Sequence, residues 1–465
     1  RCLDAFIVAL NQACEEQLWY TSTKELQLAS LEFCAACRRT PMLHVKVEEG
    51  TPTRLWIHAP AQETYSAKRT SSTRVPVVRA LAVTWKLSAS ELRSMGDAFS
   101  KVKRFTFETN FNGDPLSGID WPGSLKLLYL GGGFNQPMDR VAWPPSLEML
   151  YLGIDFNQPI IGVNWPTSLE KLIFGKKFNQ AIDMVTWPGS LKDITFDKEF
   201  DQPIDEVKWP ASLEQLTFGR DFNQNITGMK WPSSFERLKF GSKFNQAMPL
   251  DMMTWPVSFK EMEFGFEFSQ PIGGVQWPAS LENLHIGHAF NFNLPITGVN
   301  WPLSLKELSL GYRFNQAIDM VSWPGSLKVM KFGVEFNQPI GGVKWSLFLQ
   351  RLTFGFGFNQ PVAGVKWPAS LQQLTFGRDF NQPITGAVAW PPSLQQLEFG
   401  MRFNQPIADV TWPSSLLKVT FGECFDQPVA GVAWPASLRE LAFSRDFSLP
   451  SESFEWPASL EKVTI

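Results

Sequence analysis

A Trp-Pro pair returns along this chain at an almost constant interval. Trp121, Trp143, Trp165, Trp187, Trp209 and Trp231 are each 22 residues apart. The spacing then runs 24, 22, 24, 22, 22, 22, 23, 22, 22 and 22 to Trp456. Sixteen tryptophans are in phase, and all but Trp345 precede a proline. A period of this length constrains the fold more than any composition could. Each unit is too short to enclose a core of its own, so it buries its apolar face by stacking on its neighbours, which is a solenoid.

The unit beginning at Leu169 places apolar residues at Leu169, Leu172, Phe174, Phe178, Ile182, Val185 and Trp187, with Gly175 and Pro188 as breakers. Leu-x-x-Leu-x-Phe-Gly and Ile-x-x-Val-x-Trp-Pro each read as a short strand with alternate side chains in the core. Gly and Pro end them, because Gly accepts unusual dihedrals and Pro has no N–H for a ladder. The expected fold is mainly β: a parallel β-solenoid whose coils run strand, turn, strand, turn. Seventeen first strands from Val102 to Leu460, stacked at about 4.8 Å, predict a body on the order of 80 Å long.

The block after the first strand, as in Phe156-Asn157-Gln158-Pro159-Ile160 and Phe336-Asn337-Gln338-Pro339-Ile340, resembles the FNIP repeat, a short relative of the leucine-rich repeat. That resemblance implies a leucine-rich-repeat type of solenoid acting as a binding scaffold, with no catalytic residue and no cofactor. Trp stands before Pro where the family pattern suggests Leu, which thickens the core.

Residues 98–465 form the expected solenoid of about 16–17 coils, and residues 1–97 a small, mostly helical capping segment. Leu3, Phe6, Ile7, Leu10, Cys14 and Leu18 share one face of a first helix, and Ser22-x-x-Glu25 opens a second as a capping box. Leu26–Leu31 and Cys34–Arg39 faintly resemble an F-box. Leu43–Val47, Arg54–His58 and Val77–Val83 read as short strands.

A net charge of −3 carries no basic stripe, which argues against nucleic acid as a partner. No run of about 18 apolar residues is present to span a membrane. Four of five cysteines lie in the first 37 residues, a usage unlike disulfide-bonded secreted caps, so an intracellular, cytoplasmic setting is expected. The chain starts without Met and stops inside a first strand, which suggests a fragment. Cys34 and Cys37 fit one helix face as small core residues, and His285 and His288 fit a surface turn, so no metal site is expected.

Three columns are candidates for roles. Asn recurs one residue after the turn Phe, at Asn157, Asn179, Asn223, Asn337 and Asn359 among others. A stacked Asn both donates and accepts, so this column is expected to be a structural ladder. The outward positions of the early strands, Leu127, Tyr129, Met149, Tyr151 and Ile173, form an apolar patch that the N-terminal segment is expected to cover. The position just past the strand Gly reads Phe266, His288, Tyr312, Val334 and Phe356 on five successive coils, an apolar edge suited to a protein partner. No nucleophile, phosphate-loop or metalloprotease motif occurs. The expected function is a non-enzymatic protein–protein interaction scaffold. The alternatives are an F-box-type substrate receptor of a ubiquitin ligase and a structural subunit of a filament or large assembly.

Overall fold

The computed structural model describes residues 44–46, 56–58, 80–83, 102–107, 116–248, 254–287, 289–386, 388–444, 447 and 456–464. The proposed N-terminal helices and F-box-like stretch lie outside these residues. Within the same region β1 (His44–Lys46) pairs antiparallel with β2 (Trp56–His58). Then β3 (Ala80–Val83) pairs in parallel with β4 (Arg104–Phe107), so the solenoid sheet already begins within the stretch expected to be a cap.

From β4 onward each coil contributes one strand of about three residues: β5 (Leu127–Tyr129), β6 (Met149–Tyr151), β7 (Lys171–Ile173) and so on. Counting one strand per coil, β10 is Arg237–Lys239, β11 Glu261–Glu263, β12 Asn283–His285, β13 Glu307–Ser309, β14 Val329–Lys331, β15 Arg351–Thr353 and β20 Lys462–Thr464. Every ladder is parallel and joins equivalent residues of neighbouring coils, as in Leu308 opposite Met330. The sheet holds β3 to β20 in sequence order. Among the described residues no ladder joins β20 back to β3. The sheet is therefore an arc with two edges, although its strand order alone would fit a closed barrel.

The core is one continuous column. The first and fourth residues of each coil, the Phe at positions six and ten, the Ile or Val pair and the Trp are buried almost throughout. Burying each such side chain stabilises the stack by about 1.5–3 kcal/mol, and a coil standing alone would gain little of it.

The second expected strand does not form. Its residues Ile182, Val185 and Trp187 are buried, yet that segment takes no strand; among the described residues the equivalent segments pair through one isolated bridge, Lys230 to Thr254. The stacking distances explain why. Hydrogen-bonded strands repeat at about 4.8 Å. Across the core, successive position-ten rings repeat at 6.0 Å (Phe178 to Phe200) and 6.1 Å (Phe336 to Phe358), and the tryptophans at 6.3 Å (Trp345 to Trp367). At position six the spacing runs from 4.9 Å (Phe174 to Phe196) to 6.2 Å (Phe218 to Phe240). Coils that fan out in this way put the strands on the concave side. On the convex side the backbones stand too far apart for a ladder.

Close contact on the strand side demands its own residue. A Cβ built on Gly333 would sit 1.7 Å from the carbonyl oxygen of Gly311, one coil earlier. The strand-ending Gly is thus fixed by coil-to-coil approach, beyond any need to turn.

Candidate functional site

On the convex side, side chains replace the missing backbone ladder. The Asn337 Oδ1 accepts the backbone N–H of Asn359 at 2.9 Å and the Nε2–H of Gln360 at 3.0 Å. The same two bonds link Asn157 to Asn179 and Gln180, and Asp201 fills the column as an acceptor for Asn223 and Gln224. A second column stands beside the strands, where Ser326, just before β14, donates its Oγ–H to the Leu305 carbonyl of the previous coil at 2.7 Å. Sequence reading singled out the Asn but missed Gln and Ser. The signal was present, since both recur at fixed positions beside it.

The concave face carries the outward side chains of the strands. Leu127, Tyr129, Met149, Tyr151 and Ile173 stand together there, half-buried, with the tyrosine rings 6.1 Å apart. Burial pushes the Tyr129 phenol above its usual range. The segment expected to cover them lies outside the described residues. Further along, charges pair across the ladder: Lys239 with Glu263 at 2.9 Å, and Lys331 with Glu307 at 2.7 Å. Between them lies a shallow hollow of about 340 Å³ lined by Glu261, Glu263, His285, Gly287, Ser309 and Lys331. Such exposed pairs contribute about 0–1 kcal/mol each. No group of three or more His, Cys, Asp or Glu able to hold a metal occurs among the described residues.

The aromatic edge is present, with one replacement. Phe266 and Phe356 are 49% and 58% exposed, Tyr312 is exposed and Val334 half-buried. His288 lies outside the described residues. The slot between Phe266 and Tyr312 is held by Phe290, stacked 4.8 Å from one ring and 4.6 Å from the other. The Arg313 guanidinium sits 4.6 Å from the Phe290 centroid and pairs with Glu335 at 3.6 Å.

The reason is where this coil's two extra residues fall. A pattern with Phe290 in the core would put them near Asn291-Phe292, beyond the turn. Instead Phe292 takes the core position, 6.2 Å from Phe268 and 6.1 Å from Phe314, and Ala289 takes the place of the strand Gly. The extra length therefore falls before Ala289, in the first turn, where Gly287 lines the hollow. The Asn ladder breaks at the same coil. Ser269 Oγ donates to the Asn291 carbonyl, and the ladder restarts at Asn293, whose Oδ1 accepts the Asn315 N–H at 2.9 Å.

With this geometry in place, known proteins can be compared. The sequence pattern of the FNIP Repeat matches residues 134–177, 156–199, 178–221, 200–243, 292–333 and 390–424. A crystal structure described as a novel circular leucine-rich-repeat protein is 36% identical, with a TM-score of 0.69 over 80% of this chain and 57% of that one. A chain of the Drosophila Toll–Spätzle complex is 11% identical, with a TM-score of 0.54 over 78% of this chain and 56% of that one, a likeness of fold alone. This chain thus spans a little over half the length of both. Among curated protein sequences, none matches it. Among the described residues no helix is long and apolar enough to cross a membrane.

Proposed function

Because this chain carries FNIP repeats on a leucine-rich-repeat-like solenoid, we propose that it is a non-enzymatic scaffold that binds another protein along the edge formed by Phe266, Phe290, Tyr312 and Phe356. The observation that carries this reading is the stacked aromatic row on that edge. The repeat does not need it. Lys176, Lys198 and Arg220 occupy the same position in earlier coils, and the core beneath is unchanged. Rows of exposed rings cost solubility, and large apolar patches mark interaction sites. Aromatic anchors dominate binding energy where they are desolvated. The cysteine usage supports an intracellular setting for this work.

The test is recovery of a cross-linked protein partner by the full chain and by the double variant Phe266→Ser, Tyr312→Ser. The reading expects loss of recovery with Tm within a degree or two of the parent, since these side chains sit outside the core. A sharp fall in Tm with the partner retained would make the rings structural and end the proposal.

A further inference from the structure

The opposite edge of the same coils breaks the repeat rule in a second way. The turn before each strand reads Trp-Pro-x-Ser, and its Ser Oγ bonds the preceding coil, as in Ser326 to Leu305 and Ser370 to Leu349. The coil that leads into β15 reads Trp345-Ser346-Leu347-Phe348. It gives up both the Pro and the column Ser. Ser346 turns inward and donates to the Gly325 carbonyl at 3.2 Å, while Leu347 and Phe348 are left 79% and 61% exposed at the turn tip. Ser346 exchanges the column bond for this one, and the two large apolar side chains at the tip bury little surface in return.

The exposed pair is not isolated. The x of Trp-Pro-x-Ser is Val257 and Leu303 four and two coils earlier, 92% and 85% exposed. Ala279 and Gly325 occupy the coils between. Large side chains on alternate coils, with small ones between, form knobs separated by gaps. Two coils span roughly 10–12 Å, from strand spacing on one side to the wider convex spacing on the other. Seven residues of α-helix span about 10.5 Å, so one helix face repeats in step with these knobs. Lys344 and Lys366, three residues before Leu347 and before its counterpart in the next coil, are exposed, and no ion pair is seen for either among the described residues. An acidic helix would complement them.

We propose that Val257, Leu303, Leu347 and Phe348 form a docking row for an acidic amphipathic α-helix of a protein partner, lying along the solenoid with apolar residues at seven-residue intervals. This row is separate from the aromatic edge and stands on its own observations.

The departure from the repeat supplies its own test. Ser346→Pro, Leu347→Ala and Phe348→Ser together restore the turn found in neighbouring coils. The probe is a fluorescein-labelled helical peptide of about three heptads, Leu at seven-residue spacing on a Glu-rich background. Its control has the same composition with the Leu positions shuffled. The proposal expects the triple variant to keep or raise Tm, and to weaken peptide binding more than tenfold in anisotropy titrations. Leu303→Ser should weaken binding in the same direction, and the shuffled peptide should bind no better to the parent than to the triple variant. A lowered Tm for the triple variant would overturn it, because the pair would then serve the fold. So would equal binding of the two peptides, which would reduce the attraction to charge, or absence of saturable binding to the parent. If the aromatic-edge variant keeps peptide binding, the two sites are distinct, as proposed; if it abolishes peptide binding, this row is not the docking site.

Discussion

The two faces of each coil solve the same problem with different chemistry. On the concave face, coils sit close enough for backbone N–H and C=O groups to bond directly, and the side chains there are free to vary. Lys239, Glu263, His285, Ser309 and Lys331 follow one another in a single column. Across the core the stacked rings stand farther apart, 6.1 Å from Phe336 to Phe358, and past the strand the Asn and Gln side chains join one coil to the next. That is why Asn and Gln are nearly fixed while the outward strand positions are not. Curvature thus divides the sequence: bridging side chains recur on the wide side, while the outward strand positions of the narrow side are where specificity can be written.

This contrast can be broken from the narrow side first. Gly333→Ala should be the most damaging single change. Its Cβ meets backbone, which cannot swing aside, so two coils must separate. A loss of about 3 kcal/mol or more in urea-unfolding stability is expected. An effect under about 0.5 kcal/mol would mean that the coils are not in such close contact.

On the wide side, Asn337→Leu removes the acceptor for the Asn359 amide and one of the two acceptors of Gln360, which keeps the Asn337 carbonyl. Stability should fall by about 1–3 kcal/mol, the cost of leaving a buried donor without a partner. Beside the strands, Ser326→Ala removes one bond to the Leu305 carbonyl and should cost about 0.5–1.5 kcal/mol. The smallest effect should come from the exposed charges: Lys306→Ala breaks the pair with Glu282, for a change of about 0–1 kcal/mol that salt screens further. If the charge variant proved costlier than the Asn variant, the division between the faces would be wrong.

Much of this was legible in the sequence, for a physical reason. Alternation and period fix which residues enter the core, so the first strands and the Phe and Trp columns could be placed residue by residue. What one repeat does not encode is the angle between successive coils. Ile182, Val185 and Trp187 alternate as a strand would, but strand pairing needs a neighbour at the right distance, and the fan removes it. The extra residues of the twelfth strand's coil were ambiguous for a different reason. Phe290 and Phe292 are each followed by Asn, so either could fill the core slot by pattern alone. Stacking between Phe268 and Phe314 decides for Phe292, and this moves Phe290 onto the edge in the place read for His288. The Leu347-Phe348 pair was visible as a broken motif, yet its exposure depends on which way the turn tip points.

Amide hydrogen exchange at Asn359 tests the central claim most directly. If side-chain ladders hold the convex side, then in Asn337→Leu the Asn359 amide should exchange at least tenfold faster than in the parent. The amide of Leu352, in the neighbouring strand β15, should keep its protection, because its bond belongs to the backbone ladder on the other face. Equal acceleration at both amides, or none at Asn359, would contradict the account.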